Sequence, residues 1–412
     1  MQPRLPSSLS LLRHYVSFLS LRFGAVGNDV PKHVFRCEVG IAQSDNKANA
    51  AASSSSSSRK RDKGGKRYIV GDGPLRHHKQ DYVDILNPFD CSSNSYDSGK
   101  NQSHINWDAV EEIITYGVES SMRVSPAEYP FLFCESHFNT PAAKATLLEL
   151  SFESFDTPAV YVASNATLAA FSAGKTTATV VDFGASEISV TPVVDGYAVA
   201  GARLSTSRGG NWLDEQIRYE IEDNLQHIAP SVLPWFLLKG GKNYSGMCRK
   251  SFVEMHTHDV YRDIKHLMCF VPHKPMVNDH SARAKIIADL GIPPYMLPDG
   301  TELSHSDGLS TAPEKLFVAN RKRNFQSVSQ GLPARMQNVD IDCENDSLQD
   351  IFHSTMLLSD ADSRRDLLSA VITTGGGSLT DGFSQRLLFE LQSSLIPAAY
   401  KVRGSHDTTL VH

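Results

Sequence analysis

The feature that most restricts the fold of this chain is the run at residues 161–197, YVASNATLAAFSAGKTTATVVDFGASEISVTPVVDGY. It predicts a helix, a turn, and then two strands joined by a tight loop. The β-branched residues 179–181 favour a buried strand, and Asp182, Gly184 and Ser186 favour a tight turn after it. Such a turn can direct backbone N–H groups at a phosphate, although an Asp-x-Gly turn between strands also occurs in ordinary hairpins.

Five further segments share their order with actins and actin-related proteins. They read FGAVGNDVPKHVFRCEVG, INWDAVEEIITYGVESSMRVSPAEYPFLFCES, VYRDIKHLMCFVP, YMLPDGTELS and TTGGGSLTDGFSQRL. Over residues 23–402 the chain resembles the actin superfamily. The resemblance implies an α/β protein with the actin-like two-lobed fold, in which duplicated ribonuclease H-like domains close on a nucleotide cleft.

Three segments resemble one branch of that superfamily, the nuclear fourth class of actin-related proteins. They are SHFNTPAAKATLLELSFESF from Ser136, STSRGG from Ser205 and GGGSL from Gly375. Conventional actins read differently at these places.

The resemblance divides the chain into a divergent or targeting N-terminus at residues 1–28, a small lobe at 29–172, a large lobe at 173–404 and a tail at 405–412. Residues 41–66 are rich in Ala, Ser, Asn and Lys, which predicts a disordered loop. Segments near 273–284 and 320–345 are predicted surface insertions. Relative to the family, the small lobe is expected to be incomplete at the C-terminus.

Composition and targeting signals restrict the class of protein. The 412 residues are 41% hydrophobic with a net charge of −6, so no general attraction to nucleic acid is expected. The scattered cysteines argue against a zinc ribbon or a disulfide framework. The basic run 59–67, RKRDKGGKR, favours nuclear import, while the Arg- and Ser-containing start also fits an organellar transit peptide. We expect a nuclear protein that does not cross a membrane.

Apolar residues at helical spacing predict three amphipathic helices. They are 107–118 with Val110, Ile113 and Ile114 on one face, 142–155 with Leu147, Leu148 and Phe152, and a helix after an Asn211 N-cap with Trp212, Leu213, Ile217 and Ile221.

The resemblance implies that eight residues bind ATP with Mg²⁺. Asp182 would hold metal-bound water, and Gly184 would let the backbone approach a phosphate. Lys265 would contact the adenine base. The other five are glycines: Gly209 and Gly210, where the facing lobe approaches the nucleotide, and Gly375, Gly376 and Gly377, which would form the wall beside adenine and ribose.

Several departures from the family predict weak nucleotide binding and slow or absent hydrolysis. Ala185 stands where actins have a second acid, and His266 also replaces an acid. The first phosphate hairpin, with its Asp-x-Gly-Ser, is missing before Phe23. Asn165 stands where actins have the glutamine that orients the attacking water, and its side chain is one methylene shorter.

Other chemistries have less support. The chain has no nucleophile elbow, H-E-x-x-H pair, Walker loop or Rossmann fingerprint. His77 with His78, and His256 with His258, are more typical of solvated side chains than of metal ligands.

The resemblance therefore implies a non-catalytic or weakly nucleotide-binding subunit of nuclear chromatin-remodelling and histone acetyltransferase complexes. Its expected partners are actin and a helical scaffold segment, with histones or nucleosomes as further contacts and without sequence-specific nucleic acid binding. The alternatives are a cytoskeletal ATPase that forms filaments and, ranked last, an actin-fold sugar kinase. Asn165, Ala185, the missing first hairpin and the serine-rich loop all argue against the filament ATPase.

Overall fold

The computed structural model describes residues 12–16, 20–25, 27–28, 30–43, 66–77, 83–89, 105–135, 140–225, 232–238, 245–276, 285, 287, 291, 293–319 and 342–395. They fall into two compact units. Unit 1 lies within Met1–Ala163 and Pro234–Thr257, and unit 2 within Ser164–Leu233 and His258–His412. This division differs from the predicted boundary after residue 172, because residues 164–172 join unit 2 and residues 234–257 join unit 1.

Within the described residues, unit 1 has two sheets, three α-helices of its own and the first residues of the helix Lys250–Met268. A five-stranded sheet has the order β3-β2-β1-β7-β8, and a three-stranded sheet has the order β5-β4-β6. The elements are β1 Leu12–Val16, β2 Ser20–Ala25, β3 His33–Arg36, β4 Val39–Gln43, β5 Lys66–Val70, α1 Asp72–His77, β6 Val83–Leu86, α2 Trp107–Thr115, β7 Phe131–Glu135, α3 Pro141–Glu149 and β8 Val160–Ser164. Stacked and edge-on aromatic rings, among them Phe23, Phe35 and Phe131, fill the core beside the larger sheet.

Unit 2 is built on a sheet of order β11-β10-β9-β15, with β12 also paired to β10. Its elements are α4 Asn165–Ser172, β9 Ala178–Phe183, β10 Ile188–Val194, β11 Tyr197–Ala198, β12 Leu204–Thr206, α5 Gly210–Tyr219, α6 Lys250–Met268, β13 Tyr295–Met296, β14 Glu302–Leu303, α7 Asp307–Ser310, α8 Leu348–Leu358, α9 Arg364–Ser369, β15 Val371–Thr374 and α10 Phe383–Glu390. The boundary between the units falls inside α6, after Thr257.

Side chains of the central strands of unit 2 point alternately to the two faces of the sheet, and both faces are buried. One face of β9 and β10, with Val180 and Val193, packs against the alanines of α4. The other face, with Phe183 and Val190, belongs to a larger core, where the rings of Phe183 and Phe383 lie 5.1 Å apart. This packing fixes the loop between β9 and β10 at the end of a rigid sheet.

The three predicted helices form, with two local corrections. α2 buries the expected residues and continues as a wider π-helical turn at Tyr116–Met122. In the second helix, Phe152 was predicted to share the apolar face. That prediction is wrong, because Phe152 is 47% exposed and its neighbour Ser151 is buried. Asn211 is not the N-cap of α5. Gly209 takes that position, because the helix N-terminus lies against a neighbouring loop where a side chain would not fit.

The first hairpin was predicted to be missing. That prediction is wrong for its two strands, which are present as β1 and β2. β1 pairs antiparallel with β2 and parallel with β7, so residues 12–25 contribute to the sheet of unit 1. The acid and the glycines of the family pattern are still absent from the sequence. Residues 17–19, at the connection, lie outside the described part.

The predicted insertions lie mostly outside the described residues. The ends of the 41–66 loop are strand, because β4 runs to Gln43 and β5 begins at Lys66. Residues 277–284 and 320–341, the basic run up to Gly65, and the tail are not described. Residues 342–345, predicted as insertion, form a turn anchored by Asp346, whose carboxylate accepts a hydrogen bond from the Asp342 N–H at 3.1 Å.

Within the described part, none of the helices combines the length and apolar character that a bilayer-crossing segment requires.

Candidate functional site

The predicted phosphate turn is a tight hairpin between β9 and β10. Asp182 lies opposite Ser189 in the ladder, and inside the turn the Gly184 N–H donates to the Glu187 carbonyl at 2.9 Å. The N–H groups of Ala185 and Ser186, at the tip, donate to no other residue within the described ranges. Two free amides at a turn can donate to phosphate oxygens.

The N-terminus of α5 supports this hairpin from one side. Gly210 N–H donates to the Gly184 carbonyl at 3.0 Å, and Asn211 N–H donates to the Ala185 carbonyl at 2.7 Å. A Cβ on Gly209 would lie within 3 Å of backbone atoms of Ala185 and Glu187. Gly209 therefore lets two backbones meet, which is a packing role, and its predicted place beside a nucleotide stays a prediction.

The glycine run after β15 supports the hairpin from the other side. Gly375 has φ +88°, and a Cβ there would lie within 3 Å of the Phe183 carbonyl and the Asp182 carboxylate. A Cβ on Gly377 would meet the Phe183 ring. Gly376 is different, because it is exposed and a Cβ would have no neighbour within 4 Å. Of the three, only Gly376 offers open space beside the hairpin.

This difference predicts opposite outcomes for neighbouring alanine substitutions. Gly375→Ala should lower the free energy of unfolding by about 2–4 kcal/mol, because it combines left-handed backbone with overlap on a rigid strand. Gly376→Ala, the matched control, should change it by less than about 0.5 kcal/mol. Denaturant unfolding followed by circular dichroism would measure both. Equal losses would contradict the assignment of packing roles.

Two carboxyl groups lie on the same face of the hairpin. Burial raises the pKa of Asp182, whose carboxylate has no hydrogen-bond partner within the described ranges. Glu187 is two residues before Ser189 and so shares the face of Asp182. Burial, and secondarily the Asp182 charge, raise the Glu187 pKa to about 9, against the Ser205 hydroxyl and Arg203, which lower it. The acid lost at Ala185 was recognisable in the sequence, whereas Glu187 was not predicted, and its only signal was a charged residue beside a buried strand.

These residues fit ATP with Mg²⁺ on the phosphate side. Mg²⁺ keeps most of its water and commonly binds through one or two carboxylates plus phosphate oxygens, so Asp182 alone can serve as its protein-side acid. The described residues hold no group of three or more His, Cys, Asp or Glu arranged for a metal. A site that relies on phosphate for its other ligands needs no such group.

Lys265 is used differently from the expectation. Its ammonium lies 2.6 Å from the Asp214 carboxylate and donates to the Gly210 carbonyl at 2.9 Å. Burial lowers the Lys265 pKa, and Asp214 opposes this shift. The ammonium thus takes part in one ion pair and one hydrogen bond within unit 2, and its predicted contact with a base stays a prediction.

His256 is buried and not solvated as predicted, and within the described part His256 and His258 make separate contacts. His256 packs between the rings of Phe236 and Phe252, with centroids 4.9 and 4.6 Å away. His258 Nδ1 lies 3.7 Å from Asp214 Oδ2, and burial lowers its pKa. The side chains of His77 and His78 lie outside the described part.

A pair of exposed aromatic residues lies elsewhere on unit 2. Phe171, near the end of α4, is 52% exposed, and Tyr197, at the start of β11, is 80% exposed. They are neighbours, because the Phe171 ring packs over Gly196, where a Cβ would lie within 3 Å of it. Asp195 and Gly196 both have positive φ, as in the tight hairpin turn that an Asp-Gly pair favours. We call Phe171 and Tyr197 the aromatic pair.

A cavity of about 450 Å³ also opens in unit 2, lined among others by Glu314, Phe317, Arg386 and Glu390. None of the eight predicted site residues lines it. Its buried Arg386 is already paired with Glu390 at 2.8 Å and Glu314 at 3.5 Å, which is typical of a structural network.

Comparisons with known proteins give matches over most of the chain. A protein-family model described as Actin matches residues 18–410. The chain is similar to proteins named Actin-related protein 4 from three species. It is 25% identical to that of Arabidopsis thaliana over 84% of this chain and 74% of the relative. It is 28% identical to that of Schizosaccharomyces pombe over 73% and 71%, and 27% identical to that of Yarrowia lipolytica over 93% and 82%.

Proposed function

This chain belongs to the actin family, and on that premise we propose that it is a non-catalytic actin-related subunit of nuclear chromatin-remodelling and histone acetyltransferase complexes. The observation that carries the proposal is the aromatic pair, an exposed apolar surface on a rigid part of unit 2. The similarity to proteins named Actin-related protein 4 supports the choice of branch.

The aromatic pair suits a helical partner. An amphipathic helix presents apolar anchors at i, i+3, i+4 and i+7, and aromatic side chains are enriched among the residues that contribute most to interfaces. The hydroxyl of Tyr197 can keep a hydrogen-bond partner while its ring is covered. We propose that the partner is the helical segment of a scaffold subunit, with actin bound alongside, in the nucleus.

ATP with Mg²⁺ is the proposed ligand, with a structural role. The amides of Ala185 and Ser186 would bind phosphate oxygens, Asp182 would hold metal-bound water, and Gly376 would leave room beside the nucleotide. Mg²⁺ would neutralise phosphate charge. Hydrolysis would be slow, because Asn165 provides a shorter side chain than the glutamine that actins use to orient water.

The docking proposal predicts a specific loss of assembly. The double variant Phe171→Ser with Tyr197→Ser should reduce, by at least tenfold, recovery of actin and the scaffold subunit with the tagged protein from nuclei, measured by quantitative mass spectrometry. Tyr219→Ser, at a residue 55% exposed on α5, is the matched control and should change nothing. Wild-type protein that lacks these partners, sediments as filaments and turns over ATP would instead support the cytoskeletal alternative.

A further inference from the structure

A chain of buried contacts leads from α6 to the phosphate hairpin. Asp214 is 1% exposed, and its carboxylate pairs with the Lys265 ammonium at 2.6 Å. That ammonium donates to the Gly210 carbonyl at 2.9 Å. The Gly210 N–H then donates to the Gly184 carbonyl in the hairpin at 3.0 Å. Each contact depends on the position of the one before it.

Electrostatics explain why Asp214 is needed in this chain of contacts. A buried lysine favours its neutral form unless an opposite charge lies beside it. Neutral Lys265 would be a weaker donor to the Gly210 carbonyl, because hydrogen bonds from charged groups are about twice as strong as neutral ones. His258 lies further from the carboxylate than Lys265 does, at 3.7 Å, and burial lowers its pKa, while His266 and Cys269 also interact electrostatically with Asp214. Lys265 is therefore the counter-ion of Asp214.

Buried ion pairs are costly to form, and replacing one with apolar residues is often neutral or stabilising. Fold stability alone is thus a weak reason for this pair. Its other effect is geometric, since it holds the first residue of α5 against the hairpin, where the amides of Ala185 and Ser186 donate to no other residue within the described ranges.

We propose that Asp214 is a positioning residue for the phosphate hairpin and acts through Lys265 and Gly210 without touching the ligand. The inference rests on the proposed binding of ATP at this hairpin. It assigns to Asp214 a contribution to phosphate affinity and none to recognition of the base.

The first test measures the position of the hairpin without any ligand. In the folded Asp214→Asn variant, the amides of Gly210 and Asn211 should exchange with deuterium at least tenfold faster than in wild type, while α8 stays unchanged. Glu215→Gln, which changes the adjacent and partly exposed acid, is the control and should leave both regions as they are. Unchanged exchange at Gly210 and Asn211, or equal acceleration in α8, would overturn the proposal.

The second test separates phosphate from base. By calorimetry, Asp214→Asn should weaken MgATP binding about tenfold and leave adenosine binding unchanged, and equal weakening of both would overturn the positioning role. If wild type binds no MgATP, the proposed ligand fails, while the exchange experiment still decides the role of Asp214. Should the asparagine variant not fold, the apolar pair Asp214→Leu with Lys265→Met restores packing and is expected to show the same loss of protection at Gly210 and Asn211.

Discussion

Replacing Glu187 with glutamine is expected to raise the thermal unfolding midpoint by about 10 °C at pH 8 and to leave it nearly unchanged near pH 4.5. The pKa of Glu187 is raised from 4.5 to about 9 on folding, chiefly because burial disfavours its charge. Between these values the folded state binds more protons than the unfolded state, so this group lowers stability progressively as pH rises. Glutamine resembles the protonated form and carries no such penalty.

The magnitude follows from linkage. Each pH unit between 4.5 and 8 contributes up to about 1.4 kcal/mol, so the gain at pH 8 is about 5 kcal/mol, which corresponds to about 10 °C for a unit of this size. Thermal melts of both proteins at several pH values between 4.5 and 9 would check it. Glu302→Gln, at an exposed residue of β14, is the control. Parallel melting curves for wild type and Glu187→Gln across this range would refute the prediction.

Replacing Arg208 with methionine should lower the free energy of unfolding of unit 2 by about 3–4 kcal/mol. The buried guanidinium donates to the Glu344 carbonyl at 2.8 and 3.1 Å, and to those of Val318 and Lys315 at 3.2 and 3.5 Å. It also lies over the Trp212 ring. Methionine fills similar space but removes four hydrogen bonds donated by a buried charged group, and such bonds contribute about 1.5–3 kcal/mol each before relaxation.

The matched control for Arg208 is Arg218→Met on α5. Arg218 pairs with Glu215 and Glu222 on the surface, where such pairs contribute at most about 1 kcal/mol. Denaturant unfolding at neutral pH, followed through tryptophan fluorescence and circular dichroism, would compare the variants. Similar losses for Arg208→Met and Arg218→Met would show that the buried bonds contribute little.

Local sequence patterns predicted the hairpin well and some helix details poorly. The β-branched run before Asp182 favours a strand, and the Gly184 turn follows directly, so strand and loop were recognisable. Phe152 was misassigned because helical spacing shows which residues share a face, not which face meets the core. Asn211 is a good cap by type, but the close approach of the hairpin required Gly209 at that position.

The site was predictable as a set of glycines and one acid, but the interactions among them were not. Gly209 and Gly375 were expected beside a nucleotide, and the structure shows them against protein backbone, which only the folded chain reveals. Lys265 with Asp214, and Glu187 with Arg203, involve residues distant in sequence or on different strands. Charge pairs of this kind carry no periodic signal, so composition and motif cannot locate them.

The order in which the chain leaves the ribosome matters for unit 1. This unit combines residues before Ser164 with Pro234–Thr257, and the stretch between them belongs to unit 2. Two residues of the later segment contact β6. The Ser251 hydroxyl accepts a hydrogen bond from the Ile85 N–H at 3.1 Å, and the Arg249 guanidinium lies 3.3 Å from the Asp84 carboxylate. The small sheet that contains β6 therefore gains these contacts only after about 160 further residues have been synthesised, which takes roughly 8–30 s at ordinary elongation rates. During that interval a nascent unit 1 is unfinished, and a chaperone that shields the edge of this sheet would increase the yield of folded protein.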